Sequence, residues 1–523
     1  LSIAGSYLSS NRSRLRAPKS LHVMTSHKTI LSLTSTLGLA ALTGLPFSVF
    51  AEPAESDFYK ITSFATPEGA QVETTGIAIM PDGKNVAVST RRGQIWLVDG
   101  VLDAANDTAT WSTYAEYLHE PIGLSVRDGW LYAVQRPEVT RMKDEDGDGR
   151  ADVFETFADG WGITGDYHEY AFGSTHDPDG NLYVALCLTG SFTAQTKFRG
   201  WTLKITPDGR TVPFASGLRS PGGIGYNFEG DLFYTDNQGA WNGTSSLKHV
   251  APGSFQGNPN GNVYYDVVKD RSIVGEKPPY PSTIGAEMRT DTERQTIPNY
   301  RPPALYFPHK KLGQSPTGIV PDCSAGKFGP FAGQTFVAEQ THSAVQRCFL
   351  EKVNGVYQGA AFPFLKGFKS GNIGLLMTDD GMMLTGGSNR GWGASGGKPQ
   401  SLERVTWTGE VPFEVLTMSA RKDGFELTFT QPVDIESMVA ESLTMTAYTY
   451  KYHKEYGSDE VDQVDPTLEV VSVAADGKSA RIKVTPMTKG HVHELHLKGV
   501  KNSAGESLLH PVGYYTLNEI PSE

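Results

Sequence analysis

Residues 173–186 read GSTHDPDGNLYVAL, and their layout decides the fold. A glycine opens a short apolar segment, an Asp-Gly pair stands where a tight turn is needed, and an alternating LYVA run follows. Together they spell two antiparallel strands joined by a turn. The layout recurs as GIAIMPDGKNVAVST from Gly76, GLSVRDGWLYAVQ from Gly123, GIGYNFEGDLFYTDN from Gly225, GIVPDCSAGKFGPFAGQTFVAEQ from Gly318 and GLLMTDDGMMLTGGSNR from Gly374. The intervals are 47, 50, 52, 93 and 56 residues. A period near fifty residues with several short strands per unit means the blades of a β-propeller. Six units predict six blades, and the long interval holds one blade plus an insertion at about residues 255–312, whose Pro-rich, unalternating text reads as a long loop.

Past Trp407 the period stops, and GFELTFTQPVD, SARIKVTP and HVHELHLKGV read as alternating strands separated by turns. The expectation is therefore an all-β chain: a six-bladed β-propeller over residues 52–408, then a small β-sandwich of immunoglobulin-like type over 409–523. The tyrosine-rich stretch AYTYKYHKEYGSDEVD, 447–462, lies between sandwich strands and is the expected place for that domain to grip something else.

Residues 1–51 read differently. Met24, Lys28, the apolar run ILSLTSTLGLAALTGLPFSVF and the small residues Val49 and Ala51 make a secretory signal, and residues 1–23 look like translated upstream sequence. Gly and Pro interrupt the run and no stop-transfer pattern follows, so a periplasmic or secreted protein without a membrane span is expected. All five charges in this segment are basic (Arg12, Arg14, Arg16, Lys19, Lys28), which leaves 41 Lys and Arg against 58 Asp and Glu, a net of −17. Nucleic acid is excluded as a partner on that balance. Cys323 and Cys348 could bridge and leave Cys187 over, but sequence does not fix the pairing. There is no CxxCH haem attachment and no Gly-rich nucleotide fingerprint after a strand.

DEDGDGRAD at 144–152 sets Asp144, Asp146 and Asp148 at alternate positions, with Gly149 next and Asp152 beyond, as hard oxygen ligands around a Ca²⁺ ion require. Counting strand directions puts this loop at the turn between the third and fourth strands of the second blade, away from the mouth, so the Ca²⁺ is expected to be structural.

The mouth itself should be lined by residues just before each inner strand and just after each second strand. These positions hold His119, Glu120, His168, Glu169, Arg219 and Ser315, and Arg91, Arg92, Gln135, Arg136, Asp236, Asn237, Gln238, Glu339, Gln340, His342, Asn389 and Arg390. Convergent polar groups of this kind suit a polyhydroxylated or anionic ligand.

HEYAFGSTHDPDGNLYVAL followed by FASGLRSPGGIGYNFEGDLFYTDNQG resembles the glucose/sorbosone dehydrogenase-type six-bladed propellers. DEDGDGRADVFETFADG, LGQSPTGIVPD, KFGPFAGQTFVAEQTHSAVQR, GVYQGAAFPF and SNRGWGASGGKPQSLERVTWTG are similar to large secreted propeller proteins of planctomycetes and related bacteria that are named membrane-bound dehydrogenases. The likeness covers residues 60–518. It implies His168 as the base that takes a substrate hydroxyl proton, and Arg219 as the group that neutralises developing negative charge. It also implies pyrroloquinoline quinone as cofactor and a separate cytochrome c as electron acceptor. The quinoprotein sugar dehydrogenases hold a catalytic Ca²⁺ with backbone carbonyls and water, and no sequence pattern here reports such a site.

Three classes of function stay open. They are a quinone-dependent sugar or polyol dehydrogenase, a carbohydrate-active lyase or hydrolase using the same mouth, and a carbohydrate- or protein-binding propeller without catalysis. The substrate in the first two is a small molecule or an oligosaccharide. A metal reading of His491 and His493 with His453 or His510 is weaker than that of exposed histidines at a domain seam. Tyr448, Tyr450 and Tyr452 read as packing residues, and Trp392 could stack on a sugar.

Overall fold

The computed structural model describes residues 52–281, 288–389 and 393–522. The expected signal segment, Arg390 and Trp392 lie outside them. Six four-stranded antiparallel blades follow one another at 74–115, 124–158, 171–216, 221–307, 316–366 and 372–407. The sixth has three strands of its own and takes its outermost from the N-terminal side, where Tyr59–Ser63 pairs with Gln400–Trp407 in the register Tyr59↔Trp407 to Ser63↔Glu403. That pairing closes the ring and removes the open sheet edges an unclosed array would present.

The glycine that opens each repeat has a packing reason. The inner strands converge on the axis, so a Cβ on Gly123 would lie 2.8 Å from the backbone of Gly173 in the next blade, and one on Gly225 would meet the Ile319 carbonyl at 2.7 Å. The Asp-Gly turn has a conformational reason. Gly180 sits at φ +83°, a left-handed conformation that L side chains rarely adopt. Apolar residues pointing between the blades fill the core. Trp201 is fully buried among Val184, Leu186 and Leu203, and its indole N–H donates to the Gly261 carbonyl at 2.8 Å.

Gly261 belongs to the insertion, which lies inside blade four between Ser245–His249 and Leu305–Phe307. It is not a seventh blade, but the expected limits need correction at one end. Leu305–Phe307 falls within 255–312 and is the blade's own fourth strand, paired Ser245↔Phe307 to Leu247↔Leu305. Three residues alternate too briefly to show in sequence.

The C-terminal region is a sandwich of two sheets around Met418, Phe425, Leu427, Met445, Ile482, Leu495 and Tyr515. It is not simply attached beside the ring. Val512–Leu517 pairs with the outermost strand of blade five, Val356–Lys366, through Gly359↔Thr516, Ala360↔Tyr515 and Ala361↔Tyr514, so blade and sandwich share one eight-stranded sheet. The buried Arg347 of blade five donates to the carbonyls of Val415 (2.7 Å) and Leu416 (3.1 Å), bolting the other sheet down. His510 bridges Glu414 (2.6 Å) and Glu55 (3.0 Å), tying the sandwich to the segment that leads into the closing strand. All three cysteines are free thiols. Among the described residues no helix is long and apolar enough to cross a membrane.

Candidate functional site

At the mouth of the ring lies a funnel of about 550 Å³. Its floor is apolar, with Ile122, Phe172 and Ile373, and its wall carries Arg91, His168, Arg219, Asn237, Gln340 and Ser315. Seven of the residues named from sequence therefore meet here: Arg91, His168, Arg219, Asn237, Gln238, Ser315 and Gln340.

His168 is 7 % exposed. Its Nδ1 lies 2.7 Å from the Leu188 carbonyl, which can only accept, so Nδ1 carries the proton and Nε2 is left as an acceptor. Nε2 lies 3.0 Å from the Ser220 hydroxyl, which donates to it. Burial lowers the imidazole pKa to about 4, and the neighbouring Arg219 guanidinium pushes the same way. The ring is neutral at physiological pH.

Arg219 is also buried, makes no ion pair among the described residues, and leaves its Nε without a partner. Gly239 gives it room, since a Cβ there would lie 2.2 Å from that Nε. Asn237 donates to the Ser220 carbonyl at 3.2 Å while its own buried Oδ1 is unpartnered. Gln340 donates to the Ser388 carbonyl at 3.0 Å.

The remaining described residues named from sequence, Arg92, His119, Glu120, Gln135, Arg136, Glu169, Asp236, Glu339, His342 and Asn389, do not line the funnel. Asp236 is fully buried behind it, accepting from Ser220 N–H (2.8 Å), Tyr234 O–H (3.0 Å) and Lys248 Nζ (3.0 Å). It fixes Ser220 in place. Glu169 is fully buried and accepts from the Thr164 and Thr189 hydroxyls at 3.0 and 2.6 Å, folding its own loop. Gln135 donates to Thr140 at 2.6 Å, and Arg136 holds Glu120 at 2.9 Å and the Asp166 carbonyl. His342 faces a neighbouring cleft, and Asn389 is half-buried outside the funnel lining. The cause is common to all: a polar residue beside an inner strand satisfies a loop as readily as it faces solvent.

Ser220 and Tyr456 are among the wall residues that were missed. Ser220 stands immediately before the inner strand Pro221–Tyr226, where the positional rule applied and only Arg219 was taken. Tyr456 could not have been found, because it comes from the sandwich. The tyrosine-rich stretch does grip a surface, and that surface is the propeller: Trp241 N–H donates to the His453 carbonyl at 2.7 Å, Gly457 N–H to the Gly239 carbonyl at 3.1 Å, and Tyr452 O–H to the Gly257 carbonyl. This brings the Tyr456 ring to 5.1 Å from the Arg219 guanidinium at the funnel lip. Tyr448, Tyr450 and Tyr452 are buried packing residues.

The acidic loop joins Val139–Lys143 to Val153–Ala158, the third and fourth strands of blade two, and contributes no residue to the funnel. Carboxylate oxygens of Asp144, Asp146 and Asp152 lie within 4.8 Å of one another. Asp148 is not in that group; its carboxylate accepts from Arg150 N–H at 2.8 Å. The C-terminal histidines do not converge. His493 is buried with its pKa lowered to about 3 by burial, His510 is held by two glutamates, and His453 donates to the Gly457 carbonyl at 2.8 Å.

Fold and site together define a six-bladed propeller with a His-Ser-Arg funnel. A family model described as Domain of unknown function (DUF7133) matches residues 80–361, and the chain belongs to that family. No curated protein matches. Similar solved structures include the PQQ-bound aldose sugar dehydrogenase of Streptomyces coelicolor (16 % identity, 68 % of this chain and 100 % of that one, TM-score 0.44). The soluble aldose sugar dehydrogenase of Escherichia coli in its apo-form is 12 % identical (66 % and 99 %, 0.43). A Trichoderma reesei protein of carbohydrate-active enzymes family AA12 is 12 % identical (70 % and 100 %, 0.46).

Proposed function

We propose that the funnel oxidises a hydroxyl or hemiacetal of a sugar or polyol to the carbonyl or lactone, with pyrroloquinoline quinone as cofactor and a separate cytochrome c as electron acceptor. The observation that supports this is the pairing of a neutral His168 Nε2 with the Ser220 hydroxyl at 3.0 Å, beside the unpaired guanidinium of Arg219 in a funnel of ligand size. The funnel fits a planar anionic group of this kind. The buried Arg219 Nε without a partner and the space left by Gly239 suit a carboxylate or quinone oxygen, and the Arg91 guanidinium stands on the same wall. When bound, such a quinone supplies a two-electron acceptor for hydride.

The chain's own part is the proton. Both ring nitrogens of His168 are engaged, so a substrate hydroxyl would meet Ser220 Oγ rather than the imidazole. As the substrate proton passes to Ser220, the serine's proton passes to Nε2. The Leu188 carbonyl holds the ring in the tautomer that can receive it, and the Asp236–Lys248 pair holds the serine backbone. Arg219 disfavours a lasting imidazolium, so the proton would move on to solvent.

We further propose secretion to the periplasm or beyond, a structural Ca²⁺ on the loop of Asp144, Asp146, Asp148 and Asp152, and an immunoglobulin-like class for the sandwich. The test of the main reading is titration with pyrroloquinoline quinone followed by absorbance, then sugar-dependent reduction of an artificial acceptor. His168→Asn and Ser220→Ala are expected to fold and bind quinone but to lose turnover by a factor of about 10² to 10⁴. Absence of quinone binding and of sugar-dependent reduction in the wild type would overturn the reading.

A further inference from the structure

Beside the funnel lies a second concavity of about 680 Å³. Three separate segments of chain form the wall between the two. His309 faces the funnel and Lys310 to Leu312 the cleft; Gln340 and Thr341 face the funnel and His342 to Gln346 the cleft; Gly393 faces the funnel and Ser395 and Gly396 the cleft. A ligand longer than the funnel would run over this shared wall into the cleft.

We propose that the cleft binds the anionic units of a polyanionic saccharide whose terminal unit occupies the funnel. This deepens the reading of the funnel as a saccharide site and rests on it. Lys310, Lys366 and Lys369 are exposed at the cleft and make no ion pair among the described residues, whereas Lys311 is neutralised by Glu460 (2.9 Å) and Glu494 (2.8 Å). Two carboxylates lie close by, Glu55 accepting from Lys366 N–H at 2.7 Å and Glu403 from Lys369 N–H at 2.8 Å, but each meets the lysine backbone and not its ammonium group. Three ammonium groups without an ion pair around one concavity are conspicuous on a chain whose acids outnumber its bases. Beneath them Leu312, Val345, Phe364 and Phe368 give the apolar floor that sugar ring faces pack on. The shape argues against a protein partner, which presents a broad patch of about 800 Å² rather than a narrow chain.

The experiment uses the full chain without quinone or electron acceptor, so it reads binding alone. Calorimetric titration with a galacturonate hexamer, a sulfated dextran oligomer and neutral maltohexaose separates carboxylate, sulfate and uncharged saccharides. Both anionic oligomers are expected to bind, more weakly as salt rises, and the neutral one at least about tenfold more weakly. The triple variant Lys310→Gln, Lys366→Gln, Lys369→Gln should lose about tenfold in affinity for the anionic oligomers with melting unchanged. The control Lys269→Gln, Lys422→Gln, Lys498→Gln, outside the cleft, should not. Equal binding of maltohexaose, no binding of either anionic oligomer, or full affinity in the cleft variant would overturn the proposal. Polyglutamate binding as tightly as the galacturonate hexamer would overturn it in favour of an acidic protein. Failure of the redox reading shows elsewhere, as a lack of sugar-dependent reduction, and leaves these affinities untouched.

Discussion

Raising the pH should loosen the joint between sandwich and propeller, because His510 is a charged link between two glutamates. Burial alone would depress its pKa, but Glu414 at 2.6 Å and Glu55 at 3.0 Å overcome that and raise it to about 9. The unfolded value is about 6.5, so the folded state binds the proton more tightly by about 2.5 units, or about 3 kcal/mol at 1.36 kcal/mol per unit. The folded pKa lies above the unfolded one. The contribution is therefore complete below pH 6.5 and is lost as pH rises through 9. His510→Gln removes the charge and leaves the buried Glu414 carboxylate without its cation, at a cost of about 3 kcal/mol at neutral pH. Denaturant unfolding of wild type and variant from pH 6 to 10 gives the comparison, with the difference between them cancelling the titrating groups that His510 does not touch. The gap should be widest near pH 6 and shrink by about 3 kcal/mol toward pH 9.5. Parallel stability curves would refute the reasoning, and so would a gap that widens with pH.

Gly239→Ala should place a methyl carbon on the Arg219 guanidinium, reducing quinone or ligand affinity by about tenfold while the ring stays folded; unchanged affinity would show that Arg219 does not hold the ligand. Turnover should keep an acid limb near pH 4 rather than 6.5, since His168 takes up a second proton, on Nε2, only below that value; a limb near 6.5 would mean that another histidine is the base. Chelation should lower the melting temperature by a few degrees, and Asp144→Asn with Asp152→Asn should abolish that response, while ligand affinity at matched folded fraction is unaffected. Calcium-independent melting of the wild type would remove the proposed ion.

The ring was legible because its constraints are local and repeated. The axial glycines and the Asp-Gly turns are dictated by neighbours within one blade or the next, so they recur in the text at a fixed period. The site was legible only as far as the same logic reached. Position relative to an inner strand found His168 and Arg219, but could not tell them from Glu169 and Asp236, which stand at equivalent places and turn inward to satisfy Thr164, Thr189, Ser220 and Lys248. Which way a polar side chain turns depends on partners that no period reports. Tyr456 needed more still: the pairing of Val512–Leu517 with blade five, which carries the loop between two sandwich strands onto Trp241 and Gly239.

The charge distribution gives these details one consequence. The chain is acidic overall, yet the fixed charges facing the funnel are cationic: Arg219 has no counterion among the described residues, while Arg91 is shared with Glu120 at 3.1 Å. His168 is held neutral, so it adds no competing charge, and Asp236, buried behind the funnel, is already matched by Lys248. In a concavity walled by low-dielectric protein, one unmatched guanidinium is felt more strongly than at an open surface, and the field it makes is not cancelled by the distant acidic exterior, which salt screens within about 8 Å. Acids spread over the outside therefore do not weaken anion binding at the mouth. Neutralising Arg219 rather than altering net charge elsewhere is the change to which anion affinity in the funnel should be most sensitive.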